Sequence, residues 1–149
     1  MGKKILAVNP GSTSTKIALF EDYEQLFSTN LNLEGIDYRS SDGMGNLEML
    51  YQRVVEEVTE HGYDMYDIDA YAARSGPMGS SPSGVFELND LLLEKCRAIE
   101  NGHVHASYYT PPLVKHLSEE FGGKAYVLNA QNADELDTLA RFTGLVGGW

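Results

Sequence analysis

Close behind Met1, the stretch Val8 to Phe20 reads VNPGSTSTKIALF. Lys4 to Val8 and Lys16 to Phe20 are short runs rich in Ile, Leu, Val and Ala, and they flank a bend built on Pro10 and Gly11. Two such runs around a Pro-Gly bend signal a β-hairpin. EQLFSTNLNLEG alternates loosely and ends in glycine, which predicts a third strand near Gln25 to Leu33. Strands that follow one another through short turns pair antiparallel.

The pattern then changes period. Leu47, Leu50, Tyr51, Val54, Val55 and Val58 fall at helical spacing and predict a helix from Leu47 to His61, with Asn46 as N-cap and Gly62 as C-cap. DIDAYAAR reads as a short buried strand. Ser75 to Gly84, SGPMGSSPSG, is the most loop-like stretch of the chain. ELNDLLLEKCRAI predicts a second helix. TPPLVKHLSEEFGG predicts a third, with Thr110 as cap, prolines in its first turn and Gly122 at its end. KAYVLNA reads as a strand, and NADELDTLARF opens a last helix with capping-box spacing between Asn132 and Glu135. The order is βββαβααβα. Strands that arrive through helical crossovers lie parallel to a neighbour. The expected fold is therefore α/β: a mixed sheet of five strands flanked by helices.

Composition limits the functions open to such a fold. At 149 residues the chain is one domain by length, with 42% hydrophobic and 22% charged residues. Acidic residues outnumber basic ones 22 to 11, and a net charge of −11 repels nucleic acid and anionic membranes. It leaves room for a small anion held at a local basic site. The single cysteine, Cys96, forms no internal disulfide, and no apolar run approaches the length of a membrane span. These features predict a cytoplasmic protein.

The chemistry concentrates at the first bend. A tight turn points backbone N–H groups outward, and small residues let an anion approach them. Ser12, Thr13, Ser14 and Thr15 add hydroxyl donors, and Lys16 adds a positive charge. A phosphate cradle and a plain Ser/Thr-rich hairpin with a surface lysine are equal readings of the pattern. The spacing is not that of a P-loop, because a strand follows instead of a helix.

NPGSTSTK satisfies N-x-G-S-[ST]-S-x-K and so resembles the N-terminal signature of the acetate and butyrate kinase family, the butyrate kinases most of all. IDAYAARSG resembles that family's strand ending in a substrate-binding arginine. PSGVFELNDLLLEKC, HASYY and AYVLNAQNADELDTLARFTGL resemble later segments of its first half. The resemblance implies a ribonuclease-H-like half of the superfamily that includes sugar kinases, actin and heat-shock chaperones. On this reading residues 1–143 form the N-terminal domain, 144–149 form a tail, and the second kinase domain is absent. The implied reaction passes a phosphoryl group between ATP, with Mg²⁺, and a short-chain carboxylate.

Roles carry over by position. Asn9 would hydrogen-bond the transferring phosphoryl group. Gly11, Ser12, Thr13, Ser14 and Lys16 would hold phosphate oxygens. Arg74 would grip the substrate carboxylate, with Ser75 and Gly76 in the loop behind it. Asn129 stands where the family places an aspartate. In that family two halves pack together and chains dimerise, which implies a homo-oligomer or a partner chain supplying the other half. The other reading is a degenerate, non-catalytic relative that serves as a binding or assembly module.

Other clusters carry less. His103 and His105 sit two apart with no third ligand at suitable spacing, so no metal site is assigned. Cys96 reads as a small core residue and His61 and His116 as surface residues. Glu56, Glu57 and Glu60 fall off the apolar stripe of their helix. Tyr108 and Tyr109 suit an acyl pocket or a subunit contact equally.

Overall fold

A computed structural model describes residues 2–11, 14–37, 43–74, 82–98 (backbone alone for 95–98), 106–128 and 137. β1 (Lys4–Pro10), β2 (Thr15–Glu21) and β3 (Glu24–Leu31) form the antiparallel meander that the hairpin signal predicts. Helix α1 (Gly43–Glu60) then crosses over to β4 (Ala70–Arg74), which lies parallel to β1. β5 (Val85–Glu87), α2 (Asp90–Ala98) and α3 (Thr110–Phe121) precede β6 (Lys124–Leu128), which is parallel to β4. The sheet order is β3-β2-β1-β4-β6-β5.

One face of the sheet carries the core. Leu6 and Val8 of β1, Ile17 and Leu19 of β2, Tyr71 and Ala73 of β4, and Val127 of β6 are buried there. Period-two alternation puts them all on one side. Leu50, Val54 and Val58 of α1 and Leu113, Val114 and Leu117 of α3 close over that side, and each is buried. α3 lies against β4, β6 and β1, and α1 lies against α3 and β3. Gly62 ends α1 as expected. At φ +83° it carries the chain through a left-handed turn in which Tyr63 N–H reaches the Val58 carbonyl at 3.2 Å.

The sheet has six strands where five were expected. Val85–Glu87 adds an edge strand antiparallel to β6, and Leu88 N–H donates to the Ala125 carbonyl at 2.8 Å. Three residues are too few to show a period of two. The same pairing moves the start of α2 to Asp90. Asn89 Oδ1 there accepts from Leu92 N–H at 2.9 Å, an N-cap contact.

Two expected caps serve other purposes. α1 begins at Gly43, so Asn46 lies inside it, buried, and its amide binds the Asp37 backbone from both sides. Asn46 Oδ1 accepts from Asp37 N–H at 3.1 Å, and Nδ2 donates to the Asp37 carbonyl at 2.6 Å. Thr110 makes no capping bond; its hydroxyl points back to the sheet. β3 stops at Leu31, two residues short of the predicted end. The last predicted helix, from Asn132, falls outside the described residues except for Asp137.

Candidate functional site

The meander closes at its first bend by one short contact. Gly11 N–H donates to the Ser14 carbonyl at 2.7 Å, one pair beyond Pro10↔Thr15. A Cβ on Gly11 would sit 2.6 Å from that carbonyl oxygen. Glycine is required here by close approach of backbone, not by a left-handed φ. Ser14 is exposed and Thr15 is fully buried, so the strand beyond the bend alternates from its first residue.

Strand register assembles the rest. Asn30 pairs with Lys16, and Lys16 pairs with Asn9. β1 and β4 are in register through Val8↔Ala73, which brings Arg74 alongside Asn9 one step further on. Asn30, Lys16, Asn9 and Arg74 thus form one row across β3, β2, β1 and β4, on the face opposite the core. All four are exposed. Neighbouring strands lie about 4.8 Å apart, which places the Lys16 and Arg74 backbones about 10 Å apart with Asn9 between them. Neither cation is ion-paired to another described residue.

The row sits where β1 and β4 end, and a third segment closes in there. A 3₁₀ turn, Ala106–Tyr108, packs against β1. Its Ala106 and Ser107 are buried, as are Tyr109 and Thr110 behind it. A Cβ on Gly43 would lie 3.6 Å from the Tyr109 hydroxyl, so that phenol reaches the start of α1. Thr110 Oγ1 donates to the Arg74 carbonyl at 2.8 Å and lies 3.1 Å from the Ser107 carbonyl.

Of the residues expected to act, the structure brings together Asn9, Gly11, Ser14, Lys16 and Arg74. Ser12, Thr13, Ser75, Gly76 and Asn129 lie outside the described residues, as do His103 and His105. Sequence reasoning missed Asn30, whose place in the row depends on register. It also misassigned Thr110. The remaining titratable groups stand elsewhere. His61 stacks on Phe27 at 4.2 Å and His116 on Tyr51 at 4.6 Å. Burial, then a contact with Glu120, pushes the Tyr51 phenol above its ordinary pKa. Among the described residues no three His, Cys, Asp or Glu side chains are grouped to hold a metal. No helix among them is long and apolar enough to cross a membrane. A shallow hollow of about 520 Å³, lined by Val55, Thr59, Tyr63, Met65 and Phe121, opens at the opposite end of the sheet and gathers no cation.

No protein-family model matches the chain. A probable butyrate kinase of Coprothermobacter proteolyticus is 29% identical over 145 residues, which is 97% of this chain and 40% of that protein. Butyrate kinase 2 of Clostridium acetobutylicum is 29% identical over 143 residues, 95% of this chain and 40% of that protein. Over nearly its whole length the chain is therefore similar to part of these butyrate kinases. It spans about two fifths of the length of the butyrate kinases it matches. The acetate kinase of Entamoeba histolytica superposes on 96% of the chain, using 39% of its own, with a TM-score of 0.61 at 12% identity. That of Porphyromonas gingivalis covers 85% of this chain, using 37% of its own, with a TM-score of 0.54 at 16% identity. These likenesses show the fold. It is the ribonuclease-H-like, actin-like ATPase type, with six strands in this butyrate-kinase-like chain.

Proposed function

We propose that the chain supplies the phosphate- and carboxylate-holding wall of a phosphotransferase of the butyrate kinase type. The observation that carries this reading is the exposed row Lys16–Asn9–Arg74 beside the hairpin bend. In the forward direction a carboxylate oxygen of a short-chain acid forms a bond to the γ-phosphorus of ATP. The bond from that phosphorus to the β,γ-bridging oxygen breaks, and ADP leaves as acyl phosphate forms. Such a transfer needs in-line positioning and charge neutralisation more than covalent help from the protein.

The residues present fit those needs. The planar Arg74 guanidinium takes a carboxylate in two parallel hydrogen bonds. The Asn9 amide donates to the phosphoryl group between the two cations. Lys16 neutralises phosphate oxygens, and the Ser12, Thr13 and Ser14 hydroxyls would donate to them. No carboxylate stands in the row, so Mg²⁺ would arrive on the nucleotide phosphates, where it screens their charge. Residues 1–143 would form this lobe, with 144–149 as a tail. A second lobe, from a further domain, a partner chain or another copy, would close the nucleotide side; the greater length of the relatives supports this. The cytoplasm, reducing and rich in nucleotide, suits such a reaction.

Asn129, in place of an aspartate, favours a second reading: a lobe that binds phosphate and carboxylate without turnover. One experiment separates the two. The chain is incubated with MgATP and acids from acetate to valerate, and acyl phosphate is trapped with hydroxylamine. Hydroxamate that disappears in both Lys16→Ala and Arg74→Ala supports the phosphotransferase. Ligand-induced NMR shifts without hydroxamate support the binding lobe. If neither variant changes turnover or binding, the row is not the site.

A further inference from the structure

A strand that leaves a sheet must find partners for its last backbone groups. Arg74 makes the last pair of β4, with Leu128. Its carbonyl accepts from Thr110 Oγ1 at 2.8 Å. Thr110 is completely buried, and so, to within 1%, is Ser107, whose carbonyl lies 3.1 Å from the same hydroxyl. A hydroxyl has one proton to give, and the shorter contact is the one to Arg74.

The donor is held by a rigid base. Thr110 opens α3, and Pro111 and Pro112 follow it with φ already set for a helix. Both prolines lack an N–H, so the first turn asks less of a capping side chain, and the Thr110 hydroxyl is free to reach the sheet. Leu113, Val114 and Leu117 are fully buried and fix α3 against β4 and β6.

We infer that Thr110 is a positioning residue: through its bond to the Arg74 carbonyl it sets where the Arg74 guanidinium presents itself to the substrate carboxylate. The inference rests on the carboxylate role given to Arg74 above. The long side chain makes the position of its base matter. A tilt of about 10° at the backbone moves a group roughly 7 Å away by about 1 Å, and misplacement on that scale costs up to about 10²-fold. Thr110 touches no reacting atom itself.

The test compares Thr110→Val, which keeps shape and loses the donor, Thr110→Ala, and Thr110→Ser, which keeps the donor. Butyrate and inorganic phosphate are titrated separately into ¹⁵N-labelled chain, and the Arg74 Nε–Hε signal is followed. In Thr110→Val the signal moves before any ligand is added. Butyrate affinity falls about tenfold, and phosphate affinity at the hairpin stays within twofold. Thr110→Ser stays within twofold for both ligands. The inference is overturned if a folded Val or Ala variant keeps the wild-type Arg74 signal and butyrate affinity. It is also overturned if Ser and Val lose butyrate and phosphate alike, which marks a purely structural hydroxyl. Arg74→Ala guards the premise. If that variant binds butyrate as wild type does, or if wild type gives no response, the carboxylate role of Arg74 fails, and this inference with it. Loss in Arg74→Ala without loss in Thr110→Val sinks the Thr110 role alone.

Discussion

Replacing Gly11 by alanine tests whether the bend is built for close approach. The Cβ would sit 2.6 Å from the Ser14 carbonyl oxygen, where an unstrained contact needs roughly 3.4 Å. The bend must therefore open by about 0.8 Å at that point. The bond that closes it, Gly11 N–H to the Ser14 carbonyl, is 2.7 Å long, and the same displacement takes it to the edge of hydrogen-bonding range. One backbone bond lost in a solvent-exposed turn costs about 1 kcal/mol. Glycine also has the looser unfolded chain, so alanine returns about 0.4–1 kcal/mol. The net loss of stability is then small, within about 1 kcal/mol. Binding suffers more, because donors around a ligand must hold to about 0.5 Å. Phosphate affinity, read by ³¹P NMR titration, should fall about tenfold, while the urea midpoint moves little. A Gly11→Ala chain that binds phosphate as tightly as wild type would refute the argument. So would one that unfolds, since the clash would then reach far beyond the bend.

Three further outcomes follow from the fold. Asn46→Ala leaves the Asp37 N–H and carbonyl without the amide that binds both, and should cost about 1–3 kcal/mol in urea denaturation; a change under 0.5 kcal/mol contradicts that role. Leu113→Ala, at a fully buried site between α3 and the sheet, should cost about 2–5 kcal/mol with an unchanged m-value. Asp69 accepts from Lys3 Nζ at 2.6 Å and from Lys4 N–H at 2.9 Å, and these bonds, the Lys3 one first, hold its carboxyl below the usual 3.8. A depressed pKa stabilises the fold above the unfolded value and is lost as pH falls through the folded one. Asp69→Asn should therefore differ from wild type in melting temperature at pH 7 and converge with it below pH 3.8; a constant gap down to pH 2.5 rules the linkage out. The pair is largely exposed, so the gap at neutral pH is small.

Much of the fold was legible because two different periods follow one another in the chain. Short apolar runs around Pro10-Gly11 can only double back, and the 3.6 spacing from Leu47 to Val58 can only be a crossover, which makes β4 parallel to β1. What escaped were features that exist only after pairing. Val85–Glu87 carries no period in three residues, and only β6 makes it a strand. Asn30 looks like any polar residue in a strand until Lys16 is set opposite it. Asn46 and Thr110 were read as caps because residues of that type before a helical run often are. Each instead spends its hydrogen bonds on a distant backbone, at Asp37 and at Arg74. Local sequence names the donor; the partner is set by packing that no local pattern encodes.

The charge balance raises a last question: how a chain of net charge −11 could hold an anion at the proposed site. The answer lies in where the charges fall along the strands. Glu21, Asp22 and Glu24 occupy the far turn of the meander, and Asp64, Asp67 and Asp69 gather before β4. Lys3 and Lys4 stand among them, each paired with an aspartate. Lys16 and Arg74 lie at the other end, beside the bend. β1 runs seven residues between the two ends, about 20 Å at the usual rise. Across that span in water one acidic charge repels an anion by only about 0.2 kcal/mol. At physiological salt the screening length is about 8 Å, which cuts even this by roughly tenfold. Six acids together then weigh about 0.1 kcal/mol, far below the roughly 1.5–3 kcal/mol of one charged hydrogen bond to Lys16 or Arg74. The acids at the far end of the sheet thus weigh little on the proposed site. The chain's overall acidity would therefore not bar a small phosphate from the proposed site at this end of the sheet.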